Sequence, residues 1–446
     1  MVLEALSSLI TTLPQWAVAL AYLVILVGLI IAGIPVSISI GLTSVLFIVL
    51  YNVKLSTITT AICQAYDAWP MLGIFLFTFM GVVFEKSGLT ELIVNALQPT
   101  VGRLRGGLGI VAILGCAFYG LLTGSVAATA AAYTRLLGNE MVKRGYDRNY
   151  TAGLIAAAAP LGAFIPPSIP AIVIGIAIGG SILTMFLVGA ALGLVIIPGL
   201  ILINTIISMR KGYGGVERVY TRREIVVNII KACPPFIVTI GILASIYLGL
   251  MSVTEAGAMG AVLSLVVAAA YRRINRRNII EIFVEAVKST SVVMFLITMS
   301  FVLQYTWSLA GINEAFKLFL MSTARTYGAH IALTIMALIL FVLGMFFDVI
   351  VLAIAWGAYI SAALAPFGIN IYHVGALFLL GVLIGTATPP VGSGVFVVAD
   401  TMKIGLEDIF RGIKWFLPFY LILYVAAVYI PDLSLWLPRM LGMSGV

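Results

Sequence analysis

Gly162-Ala-Phe-Ile-Pro166-Pro167-Ser168 lies inside a long apolar run, and Gly385-Thr-Ala-Thr388-Pro389-Pro390-Val391 repeats its pattern later in the chain. Both read Gly-x-x-x-Pro-Pro. Proline has no N–H and clashes with the carbonyl four residues back, so it breaks a helix. Inside a bilayer, backbone groups freed in this way survive only where protein buries them or where they line a polar cavity. Two Gly/Pro-interrupted apolar segments at corresponding places in two halves point to the central site of a secondary transporter.

The rest of the chain agrees with a membrane setting. Of 446 residues, 62% are hydrophobic and 9% charged. A soluble domain carries roughly 25% charged residues. Runs of the ~17–25 apolar residues that cross a bilayer recur throughout, which predicts an all-α polytopic protein without a soluble domain. The run from Trp16 to Gly33 lacks the basic region that precedes a signal peptide's apolar core. The net charge of +8 does not indicate nucleic acid, because the charges sit in short loops between spans. Cys63, Cys116 and Cys233 form no CxxC pair and read as small apolar fillers.

The repeat covers nearly the whole chain. Gly88 and Gly311, Glu91 and Glu314, Gly145 and Gly368, Gly162 and Gly385, Pro166 and Pro389, and Gly189 and Gly412 are all 223 positions apart. Spans near 16–34, 37–51 and 68–84 project onto apolar runs at 239–257, 260–274 and 291–307. The predicted division is a first repeat over 1–208, a cytoplasmic linker over 209–233 and a second repeat over 234–446.

Charge sets the orientation of the copies. Basic clusters at Arg103, Arg105, Lys143, Arg144 and Arg148, at Arg210 to Arg223, at Arg272 to Arg277, and at Lys403, Arg411 and Lys414 all fall in the cytoplasm if an even number of spans separates them. The loop 143–148 is basic, whereas its counterpart 366–371 has no Lys or Arg. The copies are therefore expected to be inverted. Lys317 and Arg325 run against this path.

In copy one, residues 16–84 are expected to form scaffold spans, 107–137 a re-entrant hairpin interrupted at Gly120-Leu-Leu-Thr123-Gly124-Ser125, and 150–178 a broken helix. In copy two the counterparts are spans over 234–308, a hairpin over 329–364 interrupted at Gly344-Met-Phe-Phe-Asp348, a broken helix over 372–399 and a last span over 416–436. Half-helix ends meeting near the midplane favour anions at their N-termini and cations at their carbonyl ends.

At these motifs the chain resembles the large membrane subunit of TRAP (tripartite ATP-independent periplasmic) transporters. The resemblance rests on Trp69-Pro-Met-Leu-Gly-Ile-Phe, Gly102-Arg-Leu-Arg-Gly-Gly-Leu108, Thr123-Gly-Ser-Val-Ala, Glu140-Met-Val-Lys-Arg-Gly-Tyr-Asp147, Ile165-Pro-Pro-Ser-Ile-Pro170, Val253-Thr-Glu-Ala-Gly257 and Thr388-Pro-Pro-Val-Gly392, in this order. It extends to the ending from Phe410 through Pro418 to Trp436-Leu-Pro438. The resemblance implies a sodium-driven elevator, in which hairpins and broken helices slide against a scaffold. It also implies two partners, a small membrane subunit and an extracytoplasmic binding protein. The substrate it implies is an organic acid such as a dicarboxylate, keto acid or sialic acid, carried across a bacterial or archaeal cytoplasmic membrane. Na+ is then the coupling ion, and no cofactor is expected. Two departures stand out, the first bearing on substrate contacts rather than mechanism. Ser125 is followed by Val126 and Ala127 instead of a second serine, and Gly138-Asn139 replaces a proline before Glu-Met.

Candidate sodium ligands are Thr123, Ser125, Gly162 and Ile165 in the first copy, and Gly344, Asp348, Gly385, Thr388 and Val391 in the second. Candidate substrate contacts are Ser125, Thr129 and Ser168. Hydroxyl and backbone oxygens suit a hard cation, while the bland alternative is a Ser or Thr bonded to its own helix. Asp348, 223 positions after Ser125, either binds sodium or caps a half-helix. Glu255 reads as structural, and Asp400 as interfacial. Residues 279–288 read as an amphipathic stretch in the cytoplasmic interface. His330 and His373 show no metal-ligand spacing, and there is no catalytic constellation. A proton relay needs several intramembrane carboxylates or histidines, which favours sodium. A binding-protein-independent sodium/dicarboxylate carrier shares the same physics, and a channel would differ by showing single-channel currents.

Overall fold

A helix that ends in the membrane must satisfy its terminal amides and carbonyls within the protein, and the caps of this chain show where its elements begin. The computed structural model describes residues 12–214, 221–388 and 392–446, and all regular elements among them are helical. Copy one opens with α1 (Gln15–Ile31), α2 (Val36–Leu50), α3 (Ser56–Asp67), α4 (Met71–Lys86) and α5 (Leu89–Val101). The first hairpin is α6 (Gly107–Thr123) and α7 (Val126–Tyr133), followed by a π-helical turn over Thr134–Gly138 and a short α8 (Asn139–Lys143). The first broken helix is α9 (Arg148–Ala158), α10 (Leu161–Phe164) and α11 (Ile169–Ala177), and α12 (Ile182–Lys211) closes the copy.

Copy two follows with α13 (Arg222–Tyr247), α14 (Val253–Ala270), α15 (Arg276–Leu309) and α16 (Ile312–Tyr327). Its hairpin is α17 (Ala329–Gly344) and α18 (Val349–Leu364), and its broken helix is α19 (Ile371–Thr386) and α20 (Ser393–Met402). The chain ends with α21 (Leu406–Ile413), α22 (Leu417–Tyr429) and α23 (Asp432–Met440).

The duplication is visible in backbone chemistry. Gly88 and Gly311 both take positive φ, 66° and 68°, before α5 and α16. Gly145 and Gly368 do so at 85° and 76°. Two residues after each of these, Asp147 and Asn370 cap the broken helices by accepting from Tyr150 N and Tyr372 N, both at 2.8 Å. Packing repeats as well. The pairs α4 with α14 and α2 with α15 are equivalent, as are α5 with α6 and α16 with α17, and α9 with α21 and α12 with α19.

Equivalent segments differ where proline intervenes. The axis bends by 61° between α3 and α4 and by 61° between α21 and α22. Pro70 precedes α4 and Pro418 sits in the first turn of α22, where a missing N–H costs nothing. Their counterparts, α15 and α12, have no proline at the matching positions and continue as single helices of 34 and 30 residues, α12 with Pro198 in its interior. The amphipathic stretch 279–288 is therefore not a separate interfacial helix. It is the first part of α15, whose length of about 51 Å exceeds a hydrocarbon core of ~30 Å.

Five helices, α12 to α15 and α18 extended to Phe367, are long and apolar enough to cross a membrane. Three bent pairs add up to three more spans, including the 51° break at α9–α11. Lys317, awkward for the charge reading, lies on the amphipathic α16 and pairs with Glu314 at 3.1 Å. Glu255 completes a capping box with Ser252 at the start of α14, and Asp400 pairs with Lys403 at 2.9 Å in an exposed setting.

The base of the first hairpin is pinned by a residue the sequence reading passed over. Asn204 is fully buried on α12, donates to Gly106 O at 2.9 Å and accepts from Tyr150 OH at 2.9 Å. Tyr213 stacks on Tyr146 with 4.6 Å between ring centroids and closes the same corner. Asn204→Ala should cost about 1–3 kcal/mol, the net worth of two buried hydrogen bonds. A thermal midpoint in detergent equal to that of the wild type would refute this.

Candidate functional site

Each hairpin tip lies against a helix break. At the first tip, α6 ends on Gly124 at φ 60°, and Gly124 N–H returns to Gly120 O at 2.6 Å. The chain then extends through Ser125, whose Oγ caps α7 by accepting from Ala128 N at 3.3 Å. Thr129, fully buried, donates from Oγ1 to Ser125 O at 2.8 Å.

Facing this tip, Ile165 is extended at φ −89° and the Pro166–Pro167 bond is cis. Pro166 and Pro167 have no N–H, so Gly162 O and Ala163 O lose their helical donors. Ser168 Oγ donates to Ala163 O at 2.5 Å and caps α11 by accepting from Ala171 N at 3.3 Å. Among the described residues no such hydroxyl reaches Gly162 O. The two parts touch backbone to backbone. A Cβ added at Gly120 would fall on Gly162 Cα, and one at Gly124 would lie 3.0 Å from Ile169 Cγ1.

The second tip is built alike but not identically. A Cβ at Gly344 would lie 2.7 Å from Val382 Cα, and one at Gly385 would lie 2.6 Å from Gly344 C. Asp348 takes the place of Ser125 and caps α18, its Oδ1 accepting from Ile350 N at 2.9 Å. Gly385 O is already served, by Thr388 Oγ1 at 2.8 Å and Thr388 N at 2.9 Å. A cavity of about 170 Å³ lies beside Asp348, lined also by Gly344, Thr386, Val36 of α2 and Leu296 of α15. Val391, Pro389 and Pro390 and the side chain of Thr123 lie outside the described residues, so the first copy contributes the fuller view of a break.

The copies then interlock. The outer half of each broken helix packs on the other copy's hairpin, α11 on α18 and α20 on α7. A Cβ at Gly394 would lie 3.1 Å from Val126 Cγ1, so the N-termini of α7 and α20 are neighbours. The contact of Gly124 with Ile169 adds the N-terminus of α11. Three half-helix N-termini thus converge beside the hydroxyls of Ser125 and Ser168. Their amides and dipoles favour an anion, while freed carbonyls and hydroxyls suit a small hard cation.

Ser125, Ser168, Gly162, Ile165 and Thr129 gather at the first tip, and Gly344, Asp348, Gly385 and Thr388 at the second. Gly120 was missed as a site residue. Its partner relation to Gly162 is matched by Gly344 with Gly385, one register step away from the repeat offset. His373 is buried and His330 is remote from both tips, and no group of three or more metal-ligating side chains occurs among the described residues.

Interlocked hairpins and broken helices around a polar centre define a multi-pass membrane transporter. Residues 23–434 match the family described as Tripartite ATP-independent periplasmic transporter, DctM component. The chain belongs to that family, whose members are permease subunits of the cytoplasmic membrane and not enzymes. It is 29% identical over 450 residues to the C4-dicarboxylate TRAP transporter large permease protein DctM of Vibrio cholerae, covering 95% of this chain and 98% of that one. It is 27% identical over 418 residues to the sialic acid TRAP transporter large permease protein SiaM of the same organism, covering 93% and 96%. Among solved structures, the YdaH transporter of Alcanivorax borkumensis shares the fold, with a TM-score of 0.55 and 14% identity over 86% of this chain and 89% of that one.

Proposed function

We propose that this chain is the conducting subunit of a sodium-coupled carrier that moves an organic acid into the cell by an elevator movement. The convergence of three half-helix N-termini beside Ser125 and Ser168 carries the reading. A carboxylate placed there meets the aligned positive ends of these half-helices without needing an arginine. Relatives named for C4-dicarboxylate and sialic acid support the substrate class. Helices α1–α5 and α13–α16 act as scaffold, and α6–α12 with α17–α23 as the moving part.

Sodium would sit between each tip and its break. The first site is neutral, built from Gly162 O, Ile165 O and the Ser125 and Thr123 region. At the second, Thr388 already occupies Gly385 O, so the charge of Asp348 takes over the attraction. On the positive-inside rule the base of the first hairpin would face the cytoplasm and that of the second the outside. A small membrane subunit would hold the scaffold, and an extracytoplasmic binding protein would deliver the acid.

Reconstitution with both partners tests this. Uptake of the acid held by the cognate binding protein should require an inward sodium gradient. Equal uptake without the gradient would sink the proposal, and uptake by this chain alone would point to a binding-protein-independent carrier.

A further inference from the structure

The two hairpins meet the scaffold differently. In copy two, α18 presents Trp356 and Tyr359 to α15 and α16. Trp356 Nε1 donates to Asn313 Oδ1 at 3.1 Å, and Asn313 Nδ2 donates to Ser308 Oγ at 2.9 Å. Ser308 Oγ and Tyr359 OH are 2.9 Å apart. The Trp356 ring stacks on Phe316 with 4.2 Å between centroids. Trp356 and Asn313 are both buried.

The same places 223 positions earlier are held by Tyr133, Thr90, Glu85 and Leu136. There the bond equivalent to Trp356–Asn313, Tyr133 to Thr90, is not made. Tyr133 OH and Thr90 Oγ1 are buried without partners. A cavity of about 260 Å³ lies at this contact, lined by Glu85 and Glu91 of the scaffold side and Tyr119 and Arg135 of the hairpin side. The Tyr119 hydroxyl lies beside the Glu85 carboxylate at this cavity. Arg135 forms no ion pair with Glu85 or Glu91. At ~30 Å³ per water the cavity has room to keep these charges hydrated.

In a carrier made of inverted copies, one end state becomes the other when the copies exchange conformations. A contact closed in copy two and hollow in copy one should then become hollow in copy two and closed in copy one. We propose that Trp356, Asn313, Ser308 and Tyr359 form a latch that holds the moving part in the present conformation, and that Arg135 closing on Glu85 and Glu91 forms its counterpart in the other end state. The inference rests on the elevator reading above. Trp356 and Arg135 act as positioning residues, touching neither ion nor substrate.

The test is a distance measurement on the transporter with its small subunit in lipid nanodiscs. Cys63 and Cys233 are replaced by serine and Cys116 by alanine, and spin labels are placed at Leu248 on the scaffold and Ala365 on the moving part, both exposed. Two distances are expected. Trp356→Phe, which keeps the ring and removes the N–H donor, should shift their ratio roughly three- to tenfold toward the second distance, the scale of one net buried hydrogen bond. Arg135→Gln should shift it the opposite way, and the double variant should fall between them. Two distances whose ratio ignores Trp356→Phe overturn the latch, and indifference to Arg135→Gln overturns its counterpart. A single distance, unchanged by sodium and substrate while uptake persists, overturns the elevator reading itself.

Discussion

Alanine at Gly120 should reduce uptake by about 100-fold or more while leaving a folded membrane protein. The added Cβ would fall on Gly162 Cα and lie 2.7 Å from Gly162 N. Both contacts are backbone, so no side-chain rotation relieves them, and the first hairpin must back away from the break. Overpacking of this kind costs about 1–3 kcal/mol, which a polytopic protein survives. The site tolerates it less, because displacing a binding constellation by ~1 Å can cost about 100-fold. Gly385→Ala and Gly344→Ala should act alike at the second tip, where the facing atoms are again backbone, 2.6 and 2.7 Å away. Gly241→Ala is the matched control. It lies within α13 with open space around it, so alanine there should stabilise by about 0.5–1 kcal/mol. Near-normal uptake by Gly120→Ala would show that the close approach of tip and break does not form the site.

Features that a single residue enforces locally were legible in the sequence. Positive φ at Gly88, Gly311, Gly145 and Gly368 needs glycine, so duplication preserved it and a constant offset exposes it. Pro166 announces its own break. Ser125 and Asp348 fall on the same cap position, which resolves half of the question about Asp348, since it does cap α18. Contacts across the fold were hidden. Gly120 touches Gly162, but its repeat counterpart is Leu343, and Gly344 does the matching work one residue on. The Trp356 latch exists in one copy only, so no repeat comparison could find it. The continuity of α15 goes with the absence of a proline between an amphipathic stretch and a span, and amphipathicity alone reads the same either way.

Replacing Asp348 by asparagine separates the two duties that its position allows. As a cap, the residue needs one acceptor oxygen for Ile350 N, now 2.9 Å from Oδ1. Asparagine supplies it, and as an N-cap it is about as good as aspartate, so α18 and the thermal midpoint should be unchanged. As an ion ligand, the residue needs its charge. Among the described residues only Oδ1 is hydrogen-bonded, and the side chain lines a cavity of about 170 Å³, ample for a cation and a few waters. Thr388 has already taken the Gly385 carbonyl, and Asp348 is the charged side chain among the described residues that line this cavity. Asp348→Asn should therefore raise the sodium concentration for half-maximal uptake by roughly 10- to 100-fold, about 1.4–2.8 kcal/mol. It should also lower the number of sodium ions coupled per turnover if the site empties. Asp348→Ala loses cap and charge together and should add about 1 kcal/mol of instability to the same transport defect. An unchanged sodium dependence in Asp348→Asn, with Asp348→Ala merely less stable, would leave Asp348 a cap and nothing more. The inequality between the two tips would then lie in the carbonyls of Gly385 and Gly162, the first held by Thr388 and the second without a hydroxyl donor among the described residues.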